Sequence, residues 1–280
     1  MKITVKKESE LLAYLYDNLE MPKKRIKQYL THGSVYVNNN KITKYNYRIV
    51  PGMTIIIETS NKKTDFPFEI LLEDNSILIV NKPSGLPIFT KDKESSLYYM
   101  IKQYLLEKNK NEHAFLIENL EKEVSGIVIF AKDQKTKKRM QDNWKEYVIY
   151  QNFVAVLNGR LPKETKQHIV QYLKENKANL VYASKDKTGQ EAIMDYKVLK
   201  ENQHYSLVEV TVKNKIKHQV RVGFESINYP VLGDQKYGNK EEKMPRLFLH
   251  HNRIKFYYPE IKKEILIETP IPKDFKKIVN

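Results

Sequence analysis

Three carboxylates, Glu118, Glu121 and Glu123, crowd one short stretch of the chain, the segment IENLEKEVSGIVIFAK at residues 117–132. Held rigidly in a cleft, carboxylates at such spacing can serve as a nucleophile, as a general base, or as an acid/base pair on a glycosidic bond. Left in solvent they form an ordinary acidic loop. Behind them, Ser125-Gly126 punctuates a turn, and residues 127–131 are a continuous apolar run with the length of a buried strand. The strand is the scaffold, and the turn ahead of it carries the chemistry. Other reactive groups are few. The chain has no cysteine, which excludes thiol nucleophiles, disulfides and thiolate zinc sites. His250 and His251 are adjacent, so on a strand they point to opposite faces and do not make a metal pair. No metal site is expected.

A chain of 280 residues, 41% of them hydrophobic, can bury a substantial core and is long enough for one large domain and a small one. No apolar run approaches the ~20 residues that span a bilayer. The opening MKITVKKESE also lacks the apolar core of a secretory signal. A soluble, cytoplasmic protein with no membrane partner is expected. With 49 Lys plus Arg against 34 Asp plus Glu, the net charge is +15, spread along the chain. That balance favours a polyanionic partner, and 19 Tyr and 10 Phe interleaved with the basic residues suit base stacking.

Residues 10–15 and 22–30 read as two short amphipathic helices, the second opening with Pro22 and carrying Lys23, Lys24, Arg25 and Lys27 on a basic face. His32-Gly33 stops it, a strand follows at 34–38, the chain turns through Asn38-Asn39-Asn40, and a further strand is expected at 54–57. This arrangement resembles the small RNA-binding domain shared by a small-subunit ribosomal protein, tyrosyl-tRNA synthetases and many pseudouridine synthases. Its marks here are Arg25, Gly33, Val35, Val37, Asn38, Lys44 and Gly52. The resemblance implies that Lys23, Lys24, Arg25 and Lys27 dock on RNA phosphates. A polar stretch ending at Pro67 marks a linker. The expected organisation is a small domain at 1–60, a linker at 61–67 and a large domain at 68–280. Beyond the linker, strands are expected at 70–74 and 77–80, a helix at 95–108, a helix at 136–144, a strand at 148–159, a strand pair at 189–199, and a strand at 205–212.

The segment around Glu121 resembles the catalytic motif of the RluA-type pseudouridine synthases: His-Arg-Leu-Asp, two variable residues, Thr-Ser-Gly, three or four apolar residues, then Ala-Lys. Leu120, Ser125, Gly126, Ala131 and Lys132 match, whereas Glu118, Asn119, Glu121 and Val124 stand at the His, Arg, Asp and Thr positions. The run from Asn81 to Pro87 resembles another segment of these enzymes. A third, Thr-Gly-Arg, one variable residue, His-Gln-Ile-Arg-Val-His and then Pro-Ile-Val-Gly-Asp with Tyr-Gly, is matched by His218, Gln219, Arg221, Val222, Pro230, Gly233, Asp234, Tyr237 and Gly238. Asn214, Lys215, Ile216 and Gly223 depart from it, and Met194 replaces a usual Thr.

The resemblance covers nearly the whole chain. It implies an α+β architecture: a small N-terminal α+β RNA-binding domain, then a pseudouridine synthase fold with a long mixed, mainly antiparallel sheet flanked by helices. Members of the family flip a uridine out of structured RNA, break its bond to the ribose, turn the ring and form a carbon-carbon bond, without a cofactor. By resemblance, the nucleophilic carboxylate falls to Glu121, its Arg partner to Arg221 and the ring beside the uracil to Phe153, where the family has Tyr. Lys82, Asn119, Lys215, Lys217 and His218 are expected against the RNA. Glu is one methylene longer than Asp, and a displacement of about 1 Å can cost ~100-fold at a preorganised site. Asn119 lacks the charge and reach of the Arg that helps extrude the base. The expectation is therefore an RNA-binding protein, monomeric and acting on structured, ribosomal RNA, with isomerisation lost or severely reduced. The alternative is an active synthase using Glu121, Arg221 and Phe153. A third reading is a hydrolase with Glu118 and Glu121 as its carboxylate pair.

Overall fold

The computed structural model describes residues 2–19, 21–31, 33–57, 67–109, 111–162, 167–213, 215–239, 241 and 243–280. The chain divides into two compact units, Met1–Asp65 and Phe66–Asn280. Nearly all of the linker segment, 61–66, lies outside the described residues.

In the first unit, helices Leu11–Asn18 and Lys23–Thr31 pack on a four-stranded sheet in the order Lys2–Thr4, Thr54–Ile57, Val35–Val37, Asn40–Lys41. Leu11, Leu15, Ile26, Leu30, Val35, Val37, Ile55 and Ile57 form its core. Asn38 and Asn39 join two of these strands with φ of 48° and 67°, the left-handed backbone that Asn tolerates and that a two-residue hairpin needs. Lys23 and Lys27 are exposed on the second helix, and Lys23 Nζ lies 5.2 Å from the Tyr16 ring centroid.

The second unit is built on one 11-stranded sheet. Its main path runs Val181–Ala183, Gln167–Glu175, Gln190–Glu201, Tyr205–Val212, Val148–Asn158, Leu249–Tyr258, Ser125–Ala131, Ile77–Lys82, Ile70–Glu73. Lys263–Glu268 pairs with Leu249–Tyr258, and Phe115–Glu118 with Ser125–Ala131. Among the described residues every pairing in this sheet is antiparallel except one: Ser125–Ala131 runs parallel to Leu249–Tyr258 through Ser125 opposite His250 and Gly126 opposite His251. All seven residues of Ser125–Ala131 are buried because the sheet is covered on both faces. Val128 and Phe130 share a core with Leu97, Ile101 and Leu105 of helix Leu97–Lys108. Ile127 and Ile129 share another with Met140 of helix Gln134–Asp142 and with Trp144.

Three local expectations change. Residues 190–201 form one strand of 12 residues, not a pair, in which buried Ala192, Met194 and Tyr196 alternate with exposed residues over 191–197. Glu118 ends a strand, Phe115–Glu118, and is only 8% exposed, so it is not part of an acidic loop. Ser125-Gly126 opens the buried strand instead of preceding it. Gly126 holds φ of +119°, and a Cβ there would lie 2.1 Å from the carbonyl oxygen of His251. No side chain fits between these strands. Gly126→Ala should lower stability by at least about 2 kcal/mol in urea unfolding. An unchanged midpoint would mean that the parallel pairing is looser than this.

Candidate functional site

The turn at 119–124 is fastened from below. Lys82, at the end of strand Ile77–Lys82, is fully buried, and its Nζ donates to the carbonyls of Pro83 (2.9 Å), Leu86 (3.0 Å) and Lys122 (3.0 Å). Gly85 N–H donates to the same Lys122 carbonyl at 2.9 Å, and Ser84 Oγ to that of Glu123. Lys82 therefore faces neither RNA nor solvent. This corrects the expectation of an RNA contact there, because three converging carbonyls occupy the three donors of its ammonium. Burial pulls its pKa from 10.5 down to about 7.

Fixed in this way, Glu121 projects to helix Gln219–Ser226. Its Oε2 accepts from Arg221 Nη1 at 2.5 Å. Arg221 is itself clamped: Nε and Nη2 each donate to Asp234 at 2.7 Å, a bidentate pair in which the Asp234 side chain is wholly buried. Asp234 Oδ1 also accepts the backbone N–H groups of Lys236 (2.9 Å) and Tyr237 (3.0 Å). Burial opposes charge at both residues, but the pair outweighs it. Arg221 is raised by its Asp234 hydrogen bonds and the Glu121 and Asp234 charges, and Asp234 is lowered mainly by Arg221.

His218 starts the same helix with φ of 59°. Its Nδ1 lies 2.6 Å from the hydroxyl of Tyr237, which accepts the N–H of Val181 at 3.2 Å. The hydroxyl proton is thus free for His218 Nδ1. The proton of the neutral ring then sits on Nε2, 3.5 Å from Glu121 Oε2. Burial lowers the pKa of His218 and raises that of Tyr237 to about 12, which favours this neutral arrangement.

Glu121, Phe153, Ile216, His218 and Arg221 line a cavity of about 300 Å³. Phe153, on strand Val148–Asn158, is 3% exposed and stacks on His251 with centroids 4.6 Å apart and planes at 17°. His251 Nδ1 donates to the Ile127 carbonyl at 3.0 Å. His250 faces the other side, 2.8 Å from Ser125 Oγ and 2.7 Å from Thr269 Oγ1. Among the described residues no group of three or more His, Cys, Asp or Glu is placed to hold a metal.

At the rim, Asn119 is exposed. Lys215 pairs with Glu118 and donates to the Asn119 carbonyl, Trp144 Nε1 donates to Glu118, and Lys217 pairs with Glu175. Both lysines expected to meet RNA are thus engaged with carboxylates. Glu118 Oε1 is held by Lys215 and Glu121 Oε2 by Arg221, so the two carboxylates, which line the same cavity, answer to different cations. Gly223 and Met194, both departures from the family pattern, also meet: a Cβ at Gly223 would lie 2.2 Å from Met194 Cε. The side chains of Lys24 and Arg25 and the whole of Asn214 lie outside the described residues. Asp234, Tyr237, His251 and Trp144 take part in the site without having been assigned a role by sequence. For the first two the signal was present, since both match the third motif.

This fold and cavity are those of an RNA-modifying enzyme family. Residues 76–226, which include Glu121, Phe153 and Arg221, match the family described as RNA pseudouridylate synthase, and the chain belongs to that family. Its relatives include a ribosomal large subunit pseudouridine synthase C of Buchnera aphidicola subsp. Baizongia pistaciae, 30% identical over 271 residues that cover 88% of this chain and 85% of the relative. A tRNA pseudouridine synthase C of Haemophilus influenzae is 25% identical over 231 residues, covering 76% of this chain and 96% of the relative. Among solved structures, the human RNA pseudouridylate synthase domain containing 4 shares the fold with a TM-score of 0.61 at 21% identity, over 74% of this chain and 90% of that one.

Loss of the Lys82 donors leaves the Pro83 and Leu86 carbonyls unpaired and the Lys122 carbonyl with Gly85 N–H alone, so Lys82→Met should cost about 3 kcal/mol. The folded pKa lies below the unfolded one, so between about 7 and 10.5 the unfolded chain binds the extra proton and stability rises with pH. The wild-type advantage over Lys82→Met should grow across that window in denaturant titrations. A difference that stays flat would show that Lys82 keeps its charge when folded.

Proposed function

We propose that this protein binds structured RNA, ribosomal RNA in the first place, on a pseudouridine synthase fold whose isomerisation is lost or severely reduced. One observation carries the reading: each Lys or Arg lining the cavity is already in an ion pair. Arg221 is held by Glu121 and Asp234, Lys215 by Glu118, and Lys217 by Glu175. Base flipping needs groups that enter the helix and replace the stacked base, and Asn119 stands at the position from which the family does this. Phe153 keeps a ring for stacking but has no hydroxyl. Binding rests on the net charge of +15, on exposed Lys23 and Lys27 of the first unit, which we take as a small RNA-binding domain, and on relatives named for ribosomal and transfer RNA.

A second reading, an active synthase, is favoured by the Glu121–Arg221 pair at the edge of an open cavity beside Phe153. The two are separated by incubating the protein with transcribed, unmodified ribosomal RNA and mapping pseudouridine site by site. Wild type and Glu121→Ala are expected to leave none. A site made by wild type and lost in Glu121→Ala would overturn the proposal, whereas a site made only by Glu121→Asp would show a cleft that still flips uridine but misplaces its carboxylate.

Phosphate binding should come from the free lysines. Replacing Lys23 and Lys27 by Ala should lower the slope of log K against log salt by about one counterion for each phosphate-binding lysine removed. Replacing Lys215 and Lys217 should leave the slope nearly unchanged. The opposite pattern in filter binding would place the phosphates at the cavity instead.

A further inference from the structure

A second cavity, of about 210 Å³, adjoins the first, and Glu118, Lys215 and Ile216 line both. The Lys215–Glu118 ion pair is the partition between them. The two also share a strand. Phe153 faces the first cavity and Gln151 the second, two residues apart on Val148–Asn158 and so about 6.7 Å apart along one face of the sheet.

Gln151 is 2% exposed, and its Oε1 is buried without a hydrogen-bond partner. Native interiors rarely leave an acceptor in this state, so a donor arriving from outside is the natural complement. The cavity offers more than an acceptor. The half-buried ring of Trp144 forms one wall, and the exposed side chains of Lys145 and Lys213 stand at its edge. An aromatic wall, a buried amide and flanking cations together suit a nucleotide: stacking for the base, an edge contact for its identity, charge for its phosphate.

We propose that this cavity is a second base-binding subsite, taking an amino-bearing nucleobase, adenine by preference, from the nucleotide beside the one in the Glu121 cavity. A glutamine amide pairs with adenine through N6 and N7, and the unpartnered Oε1 is the acceptor that the N6 amine requires. Spacing along the strand allows neighbouring bases of one RNA to occupy the two cavities. The subsite rests on the RNA-binding reading and adds sequence selectivity to it.

Trp144 is the single tryptophan of the chain and lines this cavity and not the first, so its fluorescence reports on this wall. The full-length protein is titrated with AMP, CMP, GMP and UMP, with excitation at the red edge of the indole band. AMP should quench saturably and bind about tenfold more tightly than UMP. Gln151→Leu keeps the volume but removes the acceptor, and should abolish the preference. Equal quenching by UMP and AMP, or an AMP preference that survives Gln151→Leu, would overturn the subsite. If the variant does not fold, the wild-type nucleotide series still decides. Filter binding of the wild type to a ribosomal RNA transcript separates the two claims. Salt-sensitive retention without nucleotide discrimination removes the subsite alone, and no retention removes the RNA-binding reading beneath it.

Discussion

The buried guanidinium of Arg221 is the charge that the site is arranged around. A lone cation in that position would be prohibitive, and its burial is possible only because two of its donors are matched by Asp234 and a third by Glu121. The same Asp234 carboxylate accepts the amides of Lys236 and Tyr237. It therefore sets the turn that presents the Tyr237 hydroxyl to His218, whose Nε2 lies 3.5 Å from Glu121 Oε2. Glu121, Arg221, Asp234, Tyr237 and His218 close a ring of interactions across three separate segments. Within that ring the Asp234 fork is the buried and bidentate part, while the Glu121 side chain is 26% exposed. Position 121 can change length without unseating Arg221, which is how a longer carboxylate is accommodated in an otherwise ordinary frame.

The other departures from the family pattern come in matched sets. Glu118 brings a carboxylate to a nearly buried strand end, and Lys215 and Trp144 answer it. Gly223 leaves space in its helix, and the Met194 methyl group occupies it. Charge compensates charge and volume compensates volume, so the packing around the cavity is maintained. Compensation also has a functional consequence. A lysine neutralised by a carboxylate at contact distance attracts a phosphate far less than a free one, because an approaching phosphate must compete with the existing pair. In the Lys215–Glu118 pair the lysine holds a nearly buried strand end.

Sequence made the scaffold legible where one physical cause dominates. The run at 127–131 reads as a strand because helices cover both faces, which demands apolar residues at every position. The Asn38-Asn39 turn reads equally well, since few other residues accept two successive left-handed backbones. What escaped depends on partners distant in sequence. Lys82 looks like a surface lysine because nothing near it reveals that Lys122, forty residues on, returns a carbonyl to it. Glu118 looks solvated until Lys215 and Trp144 are seen beside it. Arg221 was found through the motif. The contact of His218 with Tyr237 was not, because it joins residues 19 apart and rests, through Tyr237, on the backbone of Val181.

Attraction and chemistry are thus carried by different charges. The excess of 15 positive charges is a property of the whole chain and acts at the range of the Debye length, bringing a polyanion to the protein whatever lies in the cavity. Inside the cavity the cations are balanced by carboxylates within contact distance, so the local field available to position a phosphate is small. A catalyst of base flipping needs the two fields to coincide, because the RNA must be both held and pried open at one point. In this chain the net charge of +15 is spread along the sequence, while Arg221, Lys215 and Lys217 at the cavity are each paired with a carboxylate. Under the proposed function, affinity for RNA would follow the net charge and not the Glu121 carboxylate, because a long-range field does not depend on how one cavity pairs its own ions.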